Sequence, residues 1–174
     1  MIDDHLIPAI TKVGWLYEKK VYFLPQLISG AECMAKAVEY VEPMLKSSGD
    51  RPALETVVMA TVKGDVHDIG KNLVVLMLKN YGYDVIDLGK DVDSDLIIKT
   101  AIEKNAALIG LSALMTTTMT EMAEVIKKKN ESCPDVKVIV GGACLTEAYA
   151  EEIGADGYSE DAQEAVKLVS SLLK

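Results

Sequence analysis

From about Thr56 to the end of the chain, short apolar runs rich in Val and Ile alternate with longer segments of helical period. Apolar runs of this length, bounded by turn residues, predict buried strands. Neighbouring parallel strands need a crossover connection, which is usually a helix, so a strand–helix repeat with short links predicts a parallel sheet with helices on both faces. The strand candidates are TVVMATV, YDVIDL, ALIGLSAL, VKVIVGG and a weaker DGYS.

The segments between the strand candidates carry residues that typically bound helices. Gly82 and Gly154 stand just past two predicted helix ends. Asp93 or Ser94, and Ser159, stand at two predicted helix starts. The helix candidates are GKNLVVLMLKNYG, DSDLIIKTAIEKN, TTTMTEMAEVIKKKN, LTEAYAEEIG and SEDAQEAVKLVSSLLK. We therefore expect an α/β fold, namely a flavodoxin-like, doubly wound, parallel five-stranded sheet in the order 2-1-3-4-5.

The N-terminal part of the chain shows helical spacing broken near YFLPQ. It predicts a helix from Leu6 to about Lys19 and a second from Pro25 to about Lys46. The polar stretch SSGDRPALE predicts a linker, so we expect a helical cap segment over residues 1–48 and an α/β domain over residues 54–174. Two helices cannot bury both their faces alone, so they should lie on the α/β domain, on a partner or on a large ligand.

Composition excludes several classes of protein. The formal net charge of −9 and pI near 4.7 leave little basic surface for a nucleic acid. No apolar run approaches the length of a membrane helix, and the N-terminus carries acids where a signal peptide carries positive charge, so we expect a cytoplasmic protein. Three cysteines without paired spacing, Cys33, Cys133 and Cys144, argue against a disulfide framework or a zinc ribbon.

Three informative stretches should meet at one rim of the sheet. The stretch GDVHDIG, residues 64–70, follows the first strand, where the strand order reverses, and ligands of open α/β sheets bind outside the carboxyl ends of strands at such a point. The stretches after the third and fourth strands, residues 112–118 and 141–143, should lie beside it.

His67 lies between two aspartates in the first stretch, and it has two interpretations. A single histidine is ordinarily structural or merely exposed. As a metal ligand, it would need its other ring nitrogen oriented by a carboxylate, which Asp65 could supply. Since neither a second His nor a Cys stands nearby, the ligand count excludes a closed zinc site. One protein imidazole suffices only for a metal that already carries its other ligands, as in a macrocycle of the tetrapyrrole type.

The other two stretches also have two interpretations. Gly141 and Gly142 permit a ligand to approach the backbone closely, or they form a simple strand-to-helix turn. Ser112, Thr116, Thr117 and Thr118 place hydroxyls at an otherwise apolar strand end, where we expect at least one to be a plain helix N-cap. A nucleotide site is rejected because the glycine spacing of dinucleotide and Walker motifs is absent and two acids would repel phosphate.

Taken together, Asp65-x-His67-x-x-Gly70, Ser112-x-Leu114 and Gly141-Gly142 resemble the cobalamin-binding signature DxHxxG…SxL…GG. The wider strings TVKGDVHDIGKN and DLIIKTAIEKNAALIGLSALMTTTM resemble corrinoid proteins of methyltransferase systems and the cobalamin module of methionine synthase. FLPQLISGAECMAKAVEYVEPML is similar to the family's helical cap, so the resemblance covers nearly the whole chain.

The resemblance implies that the chain binds cobalamin or a related corrinoid. His67 would be the lower axial ligand to cobalt, in place of the cofactor's own base, and Asp65 would accept its other ring N–H. Thr118 stands where methionine synthases have a serine that extends this relay. Phe23 would rest on the upper face. The remaining residues implied to contact the cofactor or line the channel for its displaced nucleotide tail are Asp68, Ile69, Gly70, Ser112, Leu114, Thr116, Gly141 and Gly142.

The resemblance further implies a carrier that shuttles a methyl group on cobalt between methyltransferase partners, with a reductive activator, and that is not itself a complete enzyme. The alternatives are an adenosylcobalamin-dependent mutase subunit, a cobalamin-dependent sensor and an α/β scaffold that binds nothing. The family's cap normally has four helices, whereas about 50 residues precede the sheet here. We expect either a natural short form or a fragment, with self-association or a partner covering the upper face.

Overall fold

The computed structural model describes residues 7–46 and 55–173. Within these ranges, two helices precede a regular alternation of strands and helices. The elements are α1 (Ile7–Glu18), α2 (Leu24–Lys46), β1 (Thr56–Thr61), α3 (Ile69–Asn80), β2 (Asp84–Asp87), α4 (Ser94–Glu103), β3 (Leu108–Ser112), α5 (Thr120–Ser132), β4 (Lys137–Gly141), α6 (Glu147–Ile153), β5 (Gly157–Ser159) and α7 (Ala162–Leu172).

The five strands form one sheet in the order β2-β1-β3-β4-β5, and every neighbouring pair is parallel. The predicted fold class and strand order are therefore confirmed. β1 lies between β2 and β3, so the strand order reverses at β1 and a crevice opens at its carboxyl end.

Both faces of the sheet are buried, which explains why the strands are continuous apolar runs. Successive side chains of β1 alternate between the faces: Val57 and Met59 pack in the cluster with α3 and α7, whereas Val58 and Ala60 pack in the cluster with α4 and α5. The first of these faces carries the site described below.

Helix boundaries follow the local capping chemistry. The side chain of Asp93 caps α4 by accepting from the N–H of Asp95, and Gly154 ends α6 at a φ of +78°. Ser159, predicted to start a helix, is instead the last residue of β5. Asp161 caps α7, because its carboxylate accepts the two N–H groups that follow in the first turn.

α5 begins at Thr120, four residues later than the predicted TTTMTEMAEVIKKKN segment. The expectation that Ser112, Thr116, Thr117 or Thr118 supplies its N-cap is wrong, since Met119 stands at that position without a side-chain cap. Residues 116–119 form turns instead.

The two N-terminal helices pack on each other, and α2 also packs on α3 of the sheet-containing part. Ile10 and Met34 are buried between them, beside Val13 and Leu76. One of the predicted arrangements, helices lying on the α/β domain, is therefore present. The predicted start at Leu6 and the boundary between residues 48 and 54 lie outside the described residues. Among the described residues, no helix combines the length and apolarity needed to cross a membrane.

Candidate functional site

The loop after β1 turns Asp65 into the protein. Gly64, with a φ of +80°, donates its N–H to Asp91 Oδ1 at 2.7 Å. The N–H of Asp65 donates to Val62 O at 3.1 Å, and Asp65 O accepts from the N–H of Asp91 at 3.0 Å. These three bonds fix the loop without using the Asp65 side chain, so the direction of the Asp65 carboxylate is set by the fold.

Both oxygens of the Asp65 carboxylate are fully engaged. Oδ1 accepts from the backbone N–H of His67 at 3.0 Å and lies 2.8 Å from His67 Nδ1. Oδ2 accepts from the N–H groups of Leu114 and Met115 at 2.7 and 3.3 Å, and from Thr118 Oγ1 at 2.8 Å. The carboxylate therefore joins the loop after β1 to the loop after β3.

This set of donors decides the charge of Asp65. Burial by itself would raise the pKa of the carboxyl group, but the hydrogen bonds from His67, Leu114 and Thr118 outweigh it and hold the pKa well below its ordinary value. The Asp65 side chain has no exposed surface. A buried carboxylate is thus kept ionised at neutral pH.

The imidazole of His67 faces this carboxylate on one side and the surface on the other. Its side chain is 48% exposed, and the predicted contact between Asp65 and His67 is present. Because a carboxylate only accepts, the neutral form of the imidazole carries its proton on Nδ1 and its lone pair on Nε2. The contact with Asp65 fixes the direction of the ring, so Nε2 is the nitrogen that is available to bind a metal ion.

Thr118 makes the contact with Asp65 that the resemblance implies. Its hydroxyl donates to Asp65. Its methyl group lies beside Gly64, close enough that a Cβ built on Gly64 would be 3.4 Å from Thr118 Cγ2. The added methyl of threonine is compatible with the relay.

A cavity of about 430 Å³ opens beside His67, on the α3 and α7 face of the sheet. Three large apolar side chains on its lining are exposed: Val66 (55%), Ile69 (81%) and Leu114 (43%). Exposed apolar side chains clustered in this way mark a binding surface. The predicted site residues that line the cavity are His67, Asp68, Ile69, Gly70, Ser112, Leu114, Gly141 and Gly142.

Four predicted site residues do not line the cavity. Asp65 and Thr118 are buried behind the imidazole and act on it from inside. Thr116, expected on the channel wall, is exposed, because Thr118 is the residue of that turn that points inward. Phe23 is exposed in the link between α1 and α2, and its place over the upper face stays a prediction.

The strand register explains why Ser159, which the sequence analysis did not place at the site, lines the cavity. Thr61, Ser112, Gly141 and Ser159 pair in one row across four strands, so three hydroxyl-bearing residues and a glycine share the cavity face at the carboxyl ends. Thr61 Oγ1 is buried without a hydrogen-bond partner. Aligning the strand candidates by their predicted order would have found this row.

Lys71 is a second missed residue. Its side chain has no exposed surface, lies on the cavity lining, and donates through Nζ to Asp87 Oδ1 and to Asn72 Oδ1. Lysine is rarely fully buried unless it is paired. The sequence pattern of α3 therefore gave no indication that Lys71 would be buried. The ion pair with Asp87 joins the start of α3 to the end of β2.

The glycines of the three motifs serve different purposes. Gly142 has a φ of +141°, and a Cβ there would overlap Ala113 O, so the turn itself requires this glycine. At Gly141 a Cβ would lie 3.1 Å from Ser159 O, a tight approach between strands. At Gly70 a Cβ would meet nothing within 4 Å. The fold therefore requires a glycine at position 142, whereas no contact within the chain requires one at position 70.

The family models and the relatives that match this chain have consistent descriptions. Two families, each described as a B12 binding domain, match residues 55–167 and residues 1–42. A dimethylamine corrinoid protein from Methanosarcina mazei is 42% identical over 175 residues, which cover 99% of this chain and 81% of the relative.

Solved structures agree with this match. A cobalamin-binding protein from Desulfitobacterium hafniense has a TM-score of 0.80 at 33% identity, with 95% of this chain and 78% of that chain covered. A methanol:cobalamin methyltransferase complex from Methanosarcina barkeri has a TM-score of 0.85 at 33% identity, with 99% of this chain and 66% of that chain covered. The similarity includes α1 and α2 as well as the sheet.

Proposed function

The chain belongs to the family of B12-binding corrinoid proteins, and from this premise we propose that it is a methyl carrier that binds its corrinoid with His67 as the lower ligand to cobalt. When bound, the corrinoid supplies a cobalt that accepts a methyl group from a donor and passes it to an acceptor. The residues of the chain hold the cofactor, orient it and tune its lower ligand.

The residues present fit such a group in two respects. His67 offers a lone pair on Nε2 at the surface, since its Nδ1 is held by Asp65. Val66, Ile69 and Leu114 offer exposed apolar contact beside that nitrogen. A macrocycle carries its own equatorial ligands and a wide apolar edge, so one imidazole and an apolar rim match its chemistry.

The cavity supports base-off binding, in which His67 replaces the cofactor's own base on cobalt. Replacing the cofactor's own base by His67 requires somewhere to put the displaced nucleotide tail. The cavity begins at His67 and continues past the Gly141–Gly142 turn, between the sheet and the start of α7. We assign the tail to this space, with Ser112 at its entrance.

The observation that carries the proposal is the 2.8 Å contact between His67 Nδ1 and the buried, ionised Asp65. An imidazole whose N–H is held by a full negative charge donates electron density more strongly through its other nitrogen. Thr118 and the backbone N–H groups of Leu114 and Met115 in turn keep that charge in place.

Separate methyltransferase subunits would supply the methyl donor and acceptor sites. The relatives carry the names of dimethylamine and methanol systems, so we assign the donor to methylated amines or methanol. A reductive activator would restore the cofactor after oxidation. Exposed aromatic residues on and between α1 and α2, among them Trp15 and Phe23, favour a partner or a second copy over that surface.

The test is reconstitution of the purified chain with hydroxocobalamin and, separately, with cobinamide, which has no base of its own. We expect bound cobinamide to acquire the absorption spectrum of an imidazole-ligated corrinoid in wild type and in His5→Ala, the matched histidine control. His67→Ala should lose this spectrum and regain it with added imidazole. An unchanged spectrum in His67→Ala contradicts the proposed ligand. Failure of wild type to retain either corrinoid contradicts the proposed function.

A further inference from the structure

The side chain of Met59 lies directly over Gly110 at the inner end of the cavity. Met59 in β1, Gly110 in β3 and Ile139 in β4 pair in one row, so they face the same side of the sheet. A Cβ built on Gly110 would overlap Met59 Sδ and would lie 2.8 Å from Met59 Cε. The thioether therefore fills the space that the missing side chain of Gly110 leaves.

This row forms the floor of the cavity. Met59, Gly110 and Ile139 all line it, and they lie one pleat below the row of Thr61, Ser112 and Ser159 at the carboxyl ends of the strands. A group that enters past the rim at His67 passes the hydroxyl row first and then reaches Met59.

Methionine is well suited to restrict the size of a group that binds at such a floor while still adapting to its shape. It is unbranched, with three rotatable bonds and a polarizable sulfur, and it fills irregular gaps that a branched side chain would not. Met59 is nevertheless buried and packed in the same cluster as Val57 and Val75. Its thioether can yield to a compact group above Gly110 but resists a bulky one.

We propose that Met59, lying over Gly110, determines the size of the lower base that the cavity accepts on the nucleotide tail of the corrinoid. This inference rests on the proposed base-off binding. It makes Met59 a specificity-determining residue: wild type favours a fused aromatic base without substituents on its outer edge, and shortening Met59 admits a base that carries methyl groups there.

The experiment measures dissociation constants for three probes with wild type, Met59→Ala and the control Met77→Ala. The probes are a cobamide with unsubstituted benzimidazole, hydroxocobalamin with its dimethylated benzimidazole, and cobinamide, which has no base. Met77 is a suitable control because it is a buried methionine of the same core cluster that does not line the cavity.

We expect Met59→Ala to raise the preference for the dimethylated over the unsubstituted base by about fivefold, the effect of burying roughly one additional methyl group. Its affinity for cobinamide should stay at the wild-type value, and Met77→Ala should leave all ratios unchanged. An unchanged ratio in Met59→Ala, or an equal change for cobinamide, overturns the inference while leaving corrinoid binding intact. If wild type and Met77→Ala bind none of the three probes, the proposed function itself fails.

A second measurement tests the contact without a cofactor. Gly110→Ala should destabilise the chain because its methyl group overlaps the Met59 side chain, and the double variant Gly110→Ala/Met59→Ala should recover part of that loss. The double variant is expected to fold even if Gly110→Ala does not. The free energy of unfolding of all three variants is measured with urea. If the loss in the double variant equals the sum of the losses in the two single variants, Met59 does not occupy the space over Gly110 and the inference is overturned.

Discussion

The Nδ1 atom of His67 lies 2.8 Å from Oδ1 of Asp65, and the two side chains lie in opposite environments, the imidazole 48% exposed and the carboxylate fully buried. The buried partner is held by further donors from Leu114, Met115 and Thr118. The direction of the imidazole is therefore fixed before any ligand arrives, which lowers the cost of binding one.

The hydroxyl of Thr118 should contribute to stability through Asp65. Thr118→Val keeps the shape of the side chain but leaves the buried carboxylate without one donor, so we expect a loss of about 1.5–3 kcal/mol in the free energy of unfolding. Thr118→Ser keeps the hydroxyl and should lose much less. Urea unfolding of both variants, with the exposed Thr116→Val as control, measures the difference. Equal stabilities of Thr118→Val and Thr118→Ser would contradict the hydrogen bond.

Asp65 should make the stability of the corrinoid-free chain depend on pH in the acid range. Its pKa is lower in the folded than in the unfolded chain, so its contribution is fully present above the unfolded pKa of about 4 and is lost as the pH falls towards the folded pKa. The difference in the free energy of unfolding between wild type and Asp65→Asn should therefore become smaller as the pH falls from 6 to about 3. The exposed Glu151→Gln is the control for the loss of one carboxylate. A gap that widens on acidification would contradict this sign.

Replacement by alanine should have different effects on stability at Gly142 and at Gly70. Gly142→Ala combines a positive φ with a clash against Ala113 O, so we expect a loss of at least about 2 kcal/mol in stability. Gly70→Ala meets open space in the first turn of α3, so stability should stay equal or rise by up to about 1 kcal/mol.

Corrinoid affinity should nevertheless fall roughly tenfold in Gly70→Ala, since the methyl group projects into the space assigned to the cofactor. Thermal unfolding and equilibrium binding on the same preparations separate the two effects. Undiminished affinity in Gly70→Ala would place the cofactor away from this glycine.

The apolar rim should matter for binding and not for folding. Ile69 is 81% exposed, so Ile69→Asn should leave stability nearly unchanged while weakening corrinoid binding about tenfold through lost apolar burial. Ile102→Asn, at an exposed isoleucine of α4 that does not line the cavity, is the matched control. Equal affinities of the two variants would show that the rim at Ile69 is not covered by the cofactor.

Local pattern was sufficient for most of the architecture. The Val- and Ile-rich runs, the helical segments and their order predict the sheet correctly, because both faces of every inner strand are buried and each link is a crossover. The start of α5 could not be predicted in this way. Thr118 is engaged by Asp65 across the fold, so a residue with good capping chemistry does not cap the helix.

The candidate site was predicted where it depends on loops at the ends of strands, as for His67 and Asp65. Its inner end depends on register: Met59, Gly110 and Ser159 face the cavity because of how the strands align, and no local motif marks them. Thr116 belongs to the same loop as Leu114 but is exposed and does not line the cavity, so its contact with the cofactor stays a prediction.

Whether His67 is the lower ligand to cobalt can be read from electron paramagnetic resonance of the cobalt(II) form of the chain reconstituted with unlabelled hydroxocobalamin. The protein is prepared once with ordinary histidine and once with histidine labelled with nitrogen-15 in the ring. If His67 is the ligand, the superhyperfine splitting of the cobalt lines changes from triplets to doublets in the labelled protein, because the ligating nitrogen then belongs to the chain. Triplets in both samples would show that the cofactor keeps its own base and that His67 is not the ligand.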